Sequence, residues 1–441
     1  MTNTTTIQNG YKETELGIFP QDWKSVKLGE ILQEVDLRYK KIQSSSEIPV
    51  LSITRYNGLV LQSEKFKKRV AGRNIDNYKV VKKNQIVYGF PMDEGVIYAL
   101  RNLDIGIVSP VYNVWEVIVD DIDIEYLDQF LRTPLMISTY KRYLSSTVER
   151  RRIVSKKDFK NISIPLPPLP EQRAIAYVLR TVQEAKEKTE KVIEAARELK
   201  KSLMHHLFTY GPVPFHDADK VKLKETEVGK VPEEWEVNKF SNLARFRTKP
   251  KEINVNKFDE VSFIPMSLIP EGTIYCDVYE IRNKNDVKSG VYFQEGDLLL
   301  AKITPCLENG KQGIVRGVPG KWGIATTEVF PIVGQEIINE FIAYYFLKTN
   351  IRKKLAGLMQ GTTGRQRLPK DGLINFLIPV PSINVQEKIV SLLFKIDNEI
   401  EVELKNKRVL EELFNSLLNN LMTAKIRVNK INIPEQTSEV A

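Results

Sequence analysis

Cysteine and histidine are scarce in this chain of 441 residues, which has two cysteines, Cys276 and Cys306, and three histidines, His205, His206 and His216. That excludes a disulfide framework and every Cys/His zinc cluster built within one chain. A three-His catalytic zinc site would need all three to converge, yet two are neighbours on one expected helix, where they read as polar residues near its end. No apolar run approaches the ~18 residues that cross a bilayer. The opening MTNTTTIQNG lacks the apolar core of a signal peptide, so the expected compartment is the cytoplasm. Catalytic signatures are missing too. There is no phosphate loop, since Gly310-Lys311-Gln312 and Gly320-Lys321-Trp322 lack its spacing and hydroxyl. GxGxxG, the Asn-Pro-Pro-Tyr type of segment and GxSxG are also absent.

What is present is a core-forming composition with an excess of positive charge. Hydrophobic residues make up 42%, and 65 Lys and Arg against 56 Asp and Glu give a net charge of +9. That balance suits a polyanionic partner without proving one.

The chain repeats itself. Residues 12–23 read KETELGIFPQDW and residues 224–235 read KETEVGKVPEEW, with seven of twelve positions identical. ISIPLPPL at 162–169 is echoed by FLIPVPSI at 376–383, and SLMHHLFT at 202–209 by SLLNNLMT at 416–423. Three collinear echoes at offsets of 212 to 214 make the protein two tandem copies of one module. Within each copy a mixed region rich in short β-runs (48–54, 105–119, 261–269, 297–303) precedes a proline cluster, with a helix expected near 125–143 and 339–358.

After each cluster the sequence is helical. From Glu171 to Thr209 there is no Pro or Gly. Ile175, Val178, Val182, Ala185, Thr189, Val192, Ala196, Leu199 and Leu203 are spaced alternately by three and four, and eight of these nine are apolar. That is a coiled-coil seam. The second copy offers Ile389, Leu393, Ile396, Ile400, Leu410, Phe414, Leu417 and Leu421, interrupted by Glu403 and Lys407. Each ~38-residue stretch would run ~57 Å at ~1.5 Å per residue. A short linker returns the chain to the second mixed region, so the helices are expected to pack antiparallel.

The expected architecture is α+β or α/β. Two globular domains are joined by two long antiparallel coiled-coil helices in a pseudo-twofold tandem repeat. The boundaries are 11–168 for the first domain, 169–210 for the central helical region, 211–222 for the linker, 223–383 for the second domain, 384–424 for the last helical region and 425–441 for a tail.

Basic residues recur at matching places. Arg150, Arg151, Arg152, Lys156 and Lys157 lie ahead of the first proline cluster. Ahead of the second lie Thr362, Thr363, Arg365, Gln366, Arg367 and Lys370. Arg73 with Asn74, and Lys311 with Gln312, mark two further candidate loops. Arg and Gln read guanine and adenine edges bidentately, while hydroxyls and main-chain amides hold phosphates, so these residues point to DNA. Two unlike domains at a fixed separation would read an asymmetric, interrupted site.

The KETELG and KETEVG segments, each followed by a Pro and a Trp, the IPLPPLPEQ helix start at 164–172, its echo IPVPSINVQE at 378–387 and GTTGRQRL at 361–368 together resemble the specificity subunit of Type I restriction–modification enzymes. The resemblance covers nearly the whole chain. It implies a non-catalytic subunit with two target-recognition domains. Two modification subunits would dock on the helical segments 171–209 and 385–423, bring S-adenosylmethionine and methylate adenine. Restriction subunits would bring ATP-driven translocation, magnesium and cleavage. No cofactor or metal is expected in this chain, and no membrane partner. At the second helix start, Asn384-Val385-Gln386-Glu387 replaces Pro170-Glu171-Gln172-Arg173, a departure that bears on how one partner docks. The competing readings are a stand-alone DNA nuclease and a coiled-coil scaffold whose charge is incidental.

Overall fold

The proline clusters that close the mixed regions also mark where the long helices begin. The computed structural model describes residues 10–42, 48–55, 57–65, 75–144, 152–253, 257–362, 364–429 and 431. The chain folds as two units, Met1–Lys188 with Asn406–Ala441, and Thr189–Lys405. These boundaries cut both long helices. Each unit therefore holds one globular domain, part of one helix's start and part of the other's end.

In the first unit the hairpin of Tyr11–Thr14 and Gly17–Pro20 leads to Trp23, which is fully buried. An antiparallel sheet follows, in the order Leu32–Val35, Asn113–Val117, Ile86–Tyr88, Ile97–Ala99. The helix expected near 125–143 is two helices, Ile124–Phe130 and Pro134–Arg142. Pro134 explains the break: it has no N–H to continue a helix but suits a first turn, and Thr133 caps it by accepting from Met136 N. Ser163–Leu166 then pairs with Lys24–Lys27, so the end of the domain is sewn to its beginning.

The second unit repeats this plan. Its entering hairpin is Leu223–Thr226 with Gly229–Pro232, and Glu236–Lys239 pairs with Leu377–Val380. Between them lie a five-stranded sheet (Ala244–Phe246, Val329–Gly334, Leu298–Ala301, Gln312–Val315, Tyr275–Cys276) and a four-stranded one (Glu280–Asn283, Glu260–Ile264, Trp322–Ala325, Val291–Gln294). Pairing is antiparallel except between Glu260–Ile264 and Trp322–Ala325 and between Tyr275–Cys276 and Gln312–Val315. The helices pack beside largely antiparallel sheets, an α+β arrangement.

The long helices are Leu169–Tyr210, of 42 residues, and Ile383–Met422, of 40 residues. In the first unit the start of one meets the end of the other, since Ala174, Ile175 and Leu179 share a core with Phe414, Leu417 and Leu421. In the second unit Met204, Leu207 and Phe208 share a core with Ile389 and Leu393. Both pairings run antiparallel. The expected seam needs one correction. Val192 and Leu199 are exposed, at 46% and 53%, while their neighbours Ile193 and Lys200 turn inward. A helix of 3.6 residues per turn drifts ~20° per heptad against a 3.5-residue pattern, so by the third heptad the buried line has moved by one residue. In the second helix the expected positions stay buried or half-buried, and so do the interrupting Glu403 and Lys407.

One buried polar device recurs in both units. Gln172, fully buried, accepts from Asp123 N at 2.9 Å and donates to the carbonyl oxygens of Asp121 and Pro167. Gln386, also fully buried, accepts from Ile338 N at 3.0 Å and donates to Pro381 O at 2.9 Å. In each unit this glutamine pins the start of a long helix to the N-terminus of a domain helix. Gln386→Leu should therefore strand the buried Pro381 carbonyl and deprive the part-buried Ile338 N–H of its acceptor. At about 1–3 kcal/mol per buried unsatisfied group, the expected loss is about 2–4 kcal/mol, read as a lowered urea midpoint.

The expected tail is partly docked. Val428 is buried in the first unit, and Arg427 grips Glu171 at 2.6 and 2.7 Å and Asp22 at 2.7 Å. Glu171 is 1% exposed and also accepts from the Trp23 indole at 3.1 Å. At the second helix start Val385 takes the place of Glu171, so this clasp belongs to the first unit alone.

Candidate nucleic-acid interface

The segment GTTGRQRL forms a short hairpin in the second unit, Gln360–Thr362 paired with Arg365–Arg367. Gly364, at φ 79, adopts the left-handed backbone that closes the turn. Its base is moored to the five-stranded sheet. Thr304 N donates to Gln366 O at 3.0 Å, Leu368 N donates to Lys302 O at 2.7 Å, and Ile303 bridges to Arg367. Above this base Gln360, Thr362 and Arg365 are exposed.

The cations around the hairpin divide into anchors and free groups. Arg367 forks onto both carboxylate oxygens of Glu328 at 2.7 Å. Lys370 lies over the Phe246 ring at 5.1 Å and Lys302 over Phe330 at 4.8 Å. Burial first, and then Arg367 nearby, lowers the Lys302 ammonium from its usual value. Among the described residues Arg365 has no such tie, which leaves it exposed to solvent.

Gly361 sits at φ 132, and a Cβ there would meet Arg365 O at 2.5 Å. Arg365→Ala should weaken DNA binding, or relax one half-site, by about 1–3 kcal/mol. Gly361→Ala should cost comparable affinity by displacing the hairpin, with melting of the domain core little changed. Duplex titration and thermal unfolding on the same samples check both.

Several sequence-based candidates fall elsewhere. Gln312 is buried and donates to Ala343 O at 2.7 Å. It lies within a strand of the sheet core, so it is not a DNA contact. Lys311 donates to Met266 O at 3.0 Å and is half-buried. Arg152 pairs with Asp93 at 3.1 Å and Glu94 at 3.5 Å, so its charge tethers the turn Met92–Glu94 rather than standing free for phosphate. Lys156 is tied to Glu34, leaving Lys157 exposed beside it. Arg73, Asn74, Arg150, Arg151 and Thr363 lie outside the described residues. The bridge Leu144 to Val154 holds together the flanks of 145–151, the counterpart of the hairpin loop.

The polar reading of His206 holds, because its Nε2 lies 2.7 Å from Val213 O and its ring 4.2 Å from that of Phe215. Among the described residues no group of three His, Cys, Asp or Glu is placed to hold a metal ion. No described helix is long and apolar enough to cross a membrane.

Twin domains, each sewn to the start of a long helix, define a duplicated binding protein. Residues 20–196 and 232–412 match the family model described as the Type I restriction modification DNA specificity domain. The chain belongs to this family, and with it comes a DNA-recognition role. It is 27% identical over 444 residues to the Type I restriction enzyme MjaVIII specificity subunit of Methanocaldococcus jannaschii, covering 96% of this chain and 98% of that one. It is 34% identical over 173 residues to the EcoAI specificity subunit of Escherichia coli, covering 38% of this chain and 28% of that one. Among solved structures, the S subunit of a Type I restriction–modification system from M. genitalium shares the fold, with a TM-score of 0.54, 15% identity and coverage of 96% and 99%.

Proposed function

We infer that this chain is the specificity subunit of a Type I restriction–modification complex. Each globular domain reads one half of an asymmetric bipartite DNA site, and the helix pair sets the unread gap. The observation that carries this reading is the hairpin of Gln360–Thr362 and Arg365–Arg367, moored at its base and exposing Arg365, which has no carboxylate partner among the described residues. Its counterpart segment in the first domain is basic as well, while the two differ in sequence. The halves read should therefore differ.

Two modification subunits would take the helical regions as their platform and supply S-adenosylmethionine. Restriction subunits would supply ATP- and magnesium-dependent chemistry. Exposed Val409 and Leu413, four residues apart on one face of the second long helix, are apolar groups that such a partner would cover. The expected result is that methylome sequencing of the host finds an interrupted, asymmetric adenine-methylation motif only when this chain is present. A purified chain that cuts or methylates DNA unaided would contradict the reading. So would complete DNA-binding indifference to salt, since phosphate contacts release counterions.

A further inference from the structure

The second unit contains a cavity of about 1070 Å³ whose wall gathers six cations, Arg197, Lys200, Lys201, Arg316, Lys348 and Arg352. Four of these are engaged, among them Lys348, whose ammonium lies over the Phe208 ring at 5.0 Å and the Tyr345 ring at 5.7 Å. Lys200 pairs with Asp397 at 2.5 Å, Lys201 with Glu198 at 3.5 Å, and Arg316 stacks on the Tyr275 ring at 3.1 Å. The other two, Arg197 and Arg352, have no carboxylate partner among the described residues. The Arg352 Nε is buried without a hydrogen-bond partner. Burial first, and then Lys354, draws the Lys348 ammonium down to about 8. Four carboxylates also line the cavity, Glu271, Asp277, Asp397 and Glu401. Asp397 is taken by Lys200 and by the Tyr344 hydroxyl at 2.8 Å.

The internal repeat supplies a control. On the long helices Arg197, Lys200 and Lys201 correspond, at the offset of 214, to Glu411, Phe414 and Asn415. Lys348 is the N-cap of Thr349–Gly357, as Thr133 is of Pro134–Arg142, which matches Arg352 with Ile137. The first unit thus has no cation at any of these five places. Neither the shared fold nor any partner common to both units requires the cations. Lys200 and Lys201 answer to Asp397 and Glu198, which leaves Arg197 and Arg352 answering to something met by the second unit alone.

We propose that this cavity binds a phosphate-bearing small molecule, with Arg197 and Arg352 as its anion-holding groups. Guanidinium groups fork onto phosphate oxygens. The volume is just above the ~300–1,000 Å³ typical of small-molecule and cofactor sites, room enough for a nucleotide. Tyr275 and Phe394, with rings 5.6 Å apart, add an aromatic wall. The site is separate from the hairpin and does not depend on which DNA is read.

Isothermal titration of the full chain at low salt, with pyrophosphate in one arm and ATP in the other, tests this. One molecule should bind per chain. Arg197→Glu with Arg352→Ile, which imports the first unit's residues, should weaken binding at least tenfold while the hairpin's DNA affinity is unchanged. ATP binding tenfold tighter than pyrophosphate supports a nucleotide, and equal affinities support the phosphate chain alone. If the double variant fails to fold, the exposed Arg197→Glu carries the test by itself. Absence of binding by either probe at 1 mM overturns the proposal. So does binding that the variants leave unchanged, or a variant that loses duplex affinity while neither probe binds, because the cations would then lie on DNA.

Discussion

Arg427→Ala is expected to destabilise the first unit by about 3 kcal/mol, because it leaves a buried carboxylate without its cation. The estimate takes the lower end of the range for broken buried pairs, since the guanidinium itself is 23% exposed while Glu171 is 1% exposed. Urea unfolding followed by tryptophan fluorescence checks it, with Trp23 beside the clasp as a reporter. Replacing both partners, Glu171→Val with Arg427→Ala, should recover part of the loss, because Val385 shows that the second unit manages the same junction without a charge, while the buried Trp23 indole N–H then lacks its acceptor.

The clasp also has a pH signature. The Arg427 hydrogen bond is the largest influence on Asp22 and holds its carboxyl below the usual value of 3.8. A carboxylate lowered in this way contributes its stability above the unfolded pKa and loses it as pH falls through the folded one. Asp22→Asn should therefore be less stable than the parent at neutral pH, and the gap should close only in strong acid, below about pH 4.

Removing one heptad from each long helix, at equivalent positions such as 186–192 and 400–406, should change the unread gap and leave both half-sites as they were. Seven residues amount to ~10.5 Å of helix, or ~3 base pairs. On the parental site one domain would then miss its half, at ~1–3 kcal/mol per lost base pair, so affinity there should fall by ~10³ or more. Selection of bound duplexes from a library of gap lengths reads the result. An unchanged preferred gap would remove the helix pair from the role of ruler.

Much of the architecture was legible because duplication writes itself at long range, in the paired KETE segments and proline clusters. The antiparallel pairing followed from chain connectivity. The seam was legible in the second helix and in most of the first, and failed at Val192 and Leu199, since a heptad count assumes a 3.5-residue period that a straight helix does not keep. At the candidate interface the hairpin GTTGRQRL stood out through its glycines. The sequence could not separate Arg365 from Arg367, because the distinction lies with Glu328, some forty residues away in the chain. Gln312 misled for the same reason: a polar residue beside a lysine looks like a reading loop until a strand buries it. Arg427 carried no local signal, its partner Glu171 lying more than two hundred residues away.

The measurement that bears most directly on divided reading is methylome sequencing of a host carrying this chain with residues 223–383 replaced by the matching domain of a relative. One half of the methylated motif should change, while the other half and the gap stay constant. A motif in which both halves change together, or one with no gap, would contradict the account.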